Sequence, residues 1–154
     1  MPLAVSLFNT VEWALLVLWF VAIFAPLIFA VRSQTSLAMG VTVSVLLGSV
    51  VQVLWAVFAS WGTVTYWVWS DFVLVPARSA DPMFWHTVLS AGFLHSQGDL
   101  MHVLGNVVIL ALVGVPLEQR LGSRRFAMIY IIGLLGGSLC WVAFNADSMR
   151  PALG

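Results

Sequence analysis

The sequence predicts an all-α membrane protein, a polytopic helical bundle with four transmembrane helices. Hydrophobic residues make up 62% of the chain and charged residues only 8%, whereas soluble domains carry roughly 25% charged residues. The mean hydropathy is +1.04. A chain so poor in charge cannot cover its surface with solvated groups, so we expect it to contact lipid. Its basic and acidic residues balance to a net charge of zero, which indicates no nucleic-acid partner.

Four apolar segments have the length of about 20 residues that a helix needs to cross the bilayer. The first has no basic residue before it and exceeds the apolar core of a signal peptide, so we predict a retained span. The fourth is rich in small residues, which would let another helix approach closely. The four segments are Val11–Val31, Leu37–Phe58, Leu100–Leu117 and Phe126–Phe144.

Arginines predict the orientation of these spans. Arg32 follows the first span, and Arg120, Arg124 and Arg125 lie between the third and the fourth. Because basic residues collect in cytoplasmic loops, we expect both turns inside. The two chain ends and residues 60–98 are then predicted outside.

The turn between the third and fourth spans carries clear boundary signals. Pro116 lies near the end of one helix, Gly122 suits a left-handed closing conformation, and Ser123 is a candidate cap for the next helix. Glu118 and Arg120 are interpreted from composition as solvated charges, or as a local pair of modest value.

Residues 60–98 are too long for an ordinary connection. Aromatic side chains suit the membrane–water boundary, so we predict a partly folded interfacial element that anchors the chain. His86 and His95 lie in this segment and are interpreted as solvated or boundary residues. The aromatic residues of the segment are Trp61, Tyr66, Trp67, Trp69, Phe72, Phe84 and Trp85.

His102 and Asn106 are the polar residues that a membrane span tolerates least, so they are candidates for function. Their i, i+4 spacing places both on one face of a helix, and Asp99 is a candidate cap for that helix. Three interpretations remain open: paired donors of an oxyanion hole, ligation of haem or a metal ion through His102, or a hydrogen bond between helices.

Two motifs resemble the rhomboid intramembrane serine proteases. Residues 92–106 (GFLHSQGDLMHVLGN) resemble the second core helix of that family with its HxxxN motif, here His102 and Asn106. Residues 117–123 (LEQRLGS) resemble the ExRxG turn that follows it. Residues 84–86 look like the tryptophan-containing part of the family's long first loop.

This sequence departs from the family pattern at two places. His86 stands where relatives often have arginine, and the longer spacing from His95 to His102 suggests an insertion at Ser96–Gly98. The resemblance implies an extra transmembrane helix and cytoplasmic turn at 1–36. It also implies the first half of a rhomboid-like core at 37–154.

The resemblance implies that His102 and Asn106 are side-chain donors of an oxyanion hole, with Glu118, Arg120 and Gly122 as a structural turn motif. No position matches the family's GxSG serine or its base histidine, and the chain stops where that serine motif is expected. We therefore expect a truncated protease, inactive alone, with no cofactor and no metal. Its implied partners are the lipid bilayer and the transmembrane helices of substrates. Its implied location is the plasma (inner) membrane of a prokaryote, with the active site facing outward.

Two rival functions remain. A non-catalytic rhomboid-like protein would bind transmembrane helices without cleaving them. A small haem- or ion-binding membrane protein would use His102 as a ligand. Substrate and oligomeric state are not predicted.

Overall fold

Four long helices form most of the chain in a computed structural model that describes residues 10–62, 71–95 and 100–152. A short helix, α3 (Thr87–Ser90), precedes the third of them. Each long helix is apolar and long enough to cross a bilayer, so the predicted all-α polytopic architecture is confirmed and the chain is an integral membrane protein. The long helices are α1 (Thr10–Ser33), α2 (Leu37–Ser60), α4 (Leu100–Leu121) and α5 (Ser123–Phe144).

Helices α1 and α2 form a closely packed antiparallel pair. Gly40, Ser44 and Gly48 recur every fourth residue of α2, and a Cβ atom on Gly40 would lie 2.9 Å from the Cβ of Ala30. The Ser44 hydroxyl donates a 2.7 Å hydrogen bond to the Ile23 carbonyl. Small residues at this spacing allow close helix approach in membranes. We did not predict this contact from the sequence.

The apolar core has two parts, both built on α2. One lies against α1 and the described outer segment, and includes Trp19, Trp55 and Leu94. The other lies between α2, α4 and α5, and includes Val41, Val45 and Phe126. Helix α2 is therefore the central element among the described residues.

Helix α4 runs past its predicted end at Leu117 as far as Leu121. Its hydrogen bonds follow a π-helical pattern at Leu110–Gly114, which ends two residues before Pro116. Proline cannot donate to the carbonyl of the preceding turn, so the irregular stretch lies where the regular ladder is interrupted. The proline does not end the helix.

Glu118 joins the two turns at one end of the bundle. Its carboxylate accepts hydrogen bonds from the Ser36 hydroxyl at 2.6 Å and from the backbone N–H groups of Leu37 and Ala38, both at 2.8 Å. The Ser123 hydroxyl also donates to it, at 2.6 Å. Only 6% of Glu118 is exposed. The prediction of a solvated charge was wrong for Glu118, whereas Arg120 is exposed.

The turn after α4 closes as predicted at one residue and differently at the next. Gly122 has φ +82°, a conformation that favours glycine. Ser123 was predicted to cap α5, but it is the first residue of that helix and Gly122 holds the capping position. The Ser123 hydroxyl instead donates a hydrogen bond to Glu118, because a buried carboxylate requires hydrogen-bond donors.

The described part of the outer segment is partly folded, as predicted. Two short turns, Pro76–Arg78 and Pro82–Phe84, precede α3. The Ala152 N–H donates to the Leu74 carbonyl at 2.8 Å, so the chain after α5 is tied to this segment. Tyr66, Trp67 and Trp69, which were predicted to lie at the membrane boundary, are outside the described residues.

Helix α5 does not use its glycines as the sequence suggested. Apart from the two chain neighbours and the nearby backbone of α5 itself, no atom of the described residues lies within 4 Å of a Cβ placed on Gly133, Gly136 or Gly137. The close contact is made by Gly92, whose added Cβ would lie 2.5 Å from Leu134. Gly133 and Gly137 instead line open cavities described below.

We predict that Glu118→Gln lowers the free energy of unfolding in detergent by on the order of 3 kcal/mol. An amide keeps one acceptor oxygen and turns an NH₂ group toward donors, so hydrogen bonds to a buried charge are lost. Thermal and denaturant unfolding would measure this. Gln119→Ala is the matched control, because Gln119 is exposed in the same turn and should change stability by less than about 0.5 kcal/mol. Equal stability of the two variants would contradict the role given to Glu118.

Candidate functional site

His102 and Asn106 lie on one face of α4, near its first residue. The Asn106 Nδ2 atom is 3.3 Å from the His102 Nε2 atom. His102 is exposed and Asn106 is half-buried one turn deeper. The i, i+4 spacing thus brings the two side chains together, while the proposed cap Asp99 lies outside the described residues.

His95 joins this pair, which the sequence interpretation did not anticipate. Its Nε2 atom lies 3.1 Å from the Asn106 Nδ2 atom, and its ring centre is 5.7 Å from that of His102. Only 5% of His95 is exposed. The prediction of a solvated or boundary residue was wrong for His95, whereas His86 is exposed.

Gln52 binds the backbone of the segment that carries His95, and the sequence pattern did not single it out for function. Its Nε2 group donates to the Phe93 carbonyl at 2.9 Å, and its Oε1 atom accepts from the His95 N–H, also at 2.9 Å. Only 3% of Gln52 is exposed. The available signal was a lone carboxamide in an apolar span, since such groups are costly unless they are paired.

The donor and the acceptor of each hydrogen bond in the site can be assigned in one consistent order. A carboxamide nitrogen only donates, so the Nε2 atoms of His95 and His102 both accept from Asn106. The His95 proton then lies on Nδ1, which has a long 3.5 Å contact with the Ser49 hydroxyl. Ser49 donates in turn to the Val45 carbonyl at 2.8 Å. This order fixes His95 as a neutral Nδ1–H tautomer.

The electrostatics of the site agree with a neutral His95. The pKa of His95 is lowered from 6.5 to about 4, chiefly by burial and to a smaller extent by the charge of His102. A hydrogen bond to the Phe93 backbone opposes both effects. Desolvation disfavours the charged imidazolium, so His95 is available as an acceptor at neutral pH.

Two adjoining cavities open beside the site. The nearer has a volume of about 350 Å³ and lies between α2, α4 and α5. The second, of about 460 Å³, continues along the glycine face of α5 as far as Trp141. The nearer cavity is lined by residues that include Val45, Gly92, His95, Asn106, Tyr130 and Gly133.

The described residues contain no cluster of three His, Cys, Asp or Glu side chains that could hold a metal ion. His95 and His102 are close enough to act together, but Asn106 occupies the space between their Nε2 atoms. Ligation of haem or a metal ion through His102 therefore gains no support from this geometry.

Comparison with known proteins gives one family. Residues 82–154 match the Rhomboid domain. "RHOMBOID-like protein 5" of Arabidopsis thaliana is 33% identical over 67 residues, which are 44% of this chain and 21% of that protein. "Rhomboid-related protein 1" of Caenorhabditis elegans is 42% identical over 57 residues, 37% of this chain and 15% of that protein.

A human relative gives the same result. "Rhomboid-related protein 3" of Homo sapiens is 39% identical over 62 residues, which are 40% of this chain and 14% of that protein. The chain thus spans about a fifth or less of the length of these curated relatives. No solved structure matches the chain. Because these relatives are eukaryotic, they give no support to the predicted prokaryotic source.

We predict that acid destabilises the wild-type chain through His95. A histidine whose pKa is lowered in the folded state binds its proton in the unfolded state first. The stability it contributes is therefore present above about pH 6.5 and is lost as the pH falls toward about 4. The loss is at most about 3 kcal/mol.

Unfolding in detergent at a series of pH values, for wild type and His95→Gln, would measure this contribution. The difference between the two curves isolates His95 from the other titrating groups. A difference that stays constant from pH about 7 to about 4 would contradict the prediction.

Proposed function

Because this chain belongs to the rhomboid family through its domain at residues 82–154, we propose that it forms part of an intramembrane serine protease in which His102 and Asn106 bind the oxyanion. The observation that carries the proposal is the pairing of these side chains on one face of α4, 3.3 Å apart. The cavity of about 350 Å³ beside Asn106 supplies space for a peptide group.

The proposed role of the pair is electrostatic. Attack on a peptide carbonyl places negative charge on its oxygen, and donors held in advance at that point lower the barrier. Asn106 is held by two imidazoles, so its carboxamide is oriented before substrate arrives. The oxyanion would accept the hydrogen bond from the amide N–H that now points to His102. After a change of tautomer or protonation, His102 would donate a second hydrogen bond to the oxyanion. Each exchange replaces one hydrogen bond with another.

The nucleophile and the base are not assigned to residues of this chain. None of its serines lies in a GxSG motif, and no position matches the family's base histidine. The proposal therefore concerns a protein in which residues 1–154 act together with a segment that carries both groups. The division into an extra helix at 1–36 and a core from 37 stays a prediction.

The proposed substrates are peptide bonds in or beside transmembrane helices. The site lies at the end of α4 that is opposite Glu118, while Arg32, Arg120 and Arg124 lie near the Glu118 end. Basic residues favour the cytoplasmic side, so the proposed site faces outward. Water and an extended peptide would reach it from that face.

We predict that His102→Ala and Asn106→Ala each lower kcat by about a hundred- to a thousandfold in the nucleophile-bearing protein. Cleavage of a transmembrane substrate reconstituted in vesicles would measure this. Met101→Ala is the matched control, because Met101 is exposed on the same turn of α4 and should leave the rate nearly unchanged.

The outcomes separate the candidate functions. Unchanged cleavage in both variants would remove the proposed oxyanion role. A protein that binds transmembrane helices with no cleavage by wild type would favour the non-catalytic rhomboid-like alternative.

A further inference from the structure

Resting on the proposed function, we propose that His95 is a positioning residue: its neutral imidazole holds the Asn106 carboxamide in the orientation that binds the oxyanion, and Gln52 fixes His95 in place. The key observation is that one amide nitrogen is shared between two imidazoles, at 3.1 Å from His95 and 3.3 Å from His102. His95 is the buried partner and His102 the exposed one.

A carboxamide has two orientations that fill the same space and present opposite groups. Only an acceptor beside Asn106 makes the orientation with Nδ2 toward the imidazoles the favoured one. His95 is an acceptor only while it is neutral. A proton on its Nε2 atom would face the Asn106 NH₂ group and favour the reversed amide, which presents oxygen to the oxyanion.

The position of His95 depends on α2, because His95 itself lies outside the described helices. Gln52 accepts from the His95 N–H and donates to the Phe93 carbonyl, both at 2.9 Å. The carboxamide thus bridges two backbone groups of the segment that enters the site. Because Gln52 lies on a buried face of a long helix, the imidazole is held by a rigid element.

The test compares His95→Leu with His95→Gln. The Leu variant removes the acceptor, and we expect kcat to fall about tenfold or more with KM nearly unchanged. The Gln variant offers an amide oxygen to Asn106, and we expect it to recover most of the rate. As the pH decreases toward about 4, the wild-type rate should fall more steeply than the rate of the Gln variant, because other titrating groups act equally on both.

A spectroscopic measurement on the 154-residue chain separates this proposal from the proposed function. Nitrogen-15 spectra of the histidine rings should show His95 as the Nδ1–H tautomer. The Asn106 side-chain amide signal should shift in His95→Leu and much less in His95→Gln. A shift without any effect of Asn106→Ala on cleavage would keep the positioning role and remove the oxyanion role. An unshifted amide signal, or equal rates in the Leu and Gln variants, would overturn the positioning role.

A separate observation in the outer segment carries a second inference: we propose that His86 is a proton-operated clasp that closes this segment when it is charged. The His86 Nδ1 atom lies 2.9 Å from the Met83 carbonyl oxygen, and its Nε2 atom lies 2.6 Å from the Asp71 carbonyl oxygen. Both partners are acceptors only. The two contacts can both be hydrogen bonds only when both ring nitrogens carry protons, that is, when the ring is an imidazolium.

Loss of one proton necessarily breaks one of the two bonds. A neutral imidazole has a single N–H, so a lone pair would face one carbonyl oxygen. The bond to Asp71 joins two parts of the outer segment 15 residues apart, whereas the bond to Met83 is local. His86 is exposed, and histidine is the side chain type that ordinarily gains or loses its charge between pH 5 and 8.

The surroundings of His86 contain groups of both signs. Asp71 contributes its carbonyl, and Asp81 caps the Pro82–Phe84 turn through its carboxylate. Arg78 lies over the Phe84 ring at 5.5 Å, and the edge of Phe72 packs against His86 with ring centres 5.7 Å apart.

Limited proteolysis of residues 71–86 would test the clasp, with His86→Arg as the reference at each pH. Arginine stays charged, so the ratio of wild-type to Arg cleavage rates removes the protease's own pH dependence. We expect a ratio near one at about pH 5.5 and several-fold higher at about pH 8. His86→Gln should be cut faster than His86→Arg at both values. A wild-type ratio that does not change with pH would overturn the clasp.

Discussion

A buried carboxylate at one end of the bundle is the constraint on which the rest of the structure depends. Removing Glu118 from water is costly unless all its acceptor sites are filled. The donors come from three places: the backbone at the start of α2, the Ser36 side chain and the Ser123 hydroxyl at the start of α5. One side chain thus fixes the ends of three helices together, and the helix dipole of α2 favours the negative charge.

The same rule shapes the opposite end of the bundle. Gln52 is buried in an apolar helix, so its amide must find partners. It finds them in the backbone of Phe93 and His95. These two hydrogen bonds hold the segment so that His95 lies buried against Asn106, and burial lowers the pKa of its imidazole. The site is therefore a consequence of how polar groups are satisfied inside the bundle.

The sequence predicted the architecture well because the lipid environment imposes a simple pattern. Long apolar runs define the four spans, and the i, i+4 spacing of His102 and Asn106 placed them on one face. Local rules also found the positive φ of Gly122. These features depend on residues that are neighbours in the chain.

The errors concern contacts between segments that are distant in sequence. Glu118 and Ser36 are 82 residues apart, and Gln52 and His95 are 43 apart. Composition gave both Glu118 and His95 a solvated interpretation, because loop residues with charge or an imidazole are usually exposed. The sequence did contain a potential partner for each residue. The start of α2 at Ser36 offers donors to a carboxylate, and Gln52 is a lone amide in an apolar span. The sequence alone cannot match these partners to Glu118 and His95, because it does not show which helices are neighbours.

The two proposals for histidines make opposite demands on the proton. His95 must be neutral to accept from Asn106, while His86 must be charged to donate to two carbonyls. The two residues differ in burial, since His95 is buried and His86 is exposed, and a desolvated imidazole resists protonation. The outer segment connects them through α3, so closing the segment and ordering the site are compatible only over a bounded range of pH. Arginine at position 86 would remove the upper bound and leave the lower one, because a guanidinium keeps its charge while His95 still has to lose its own.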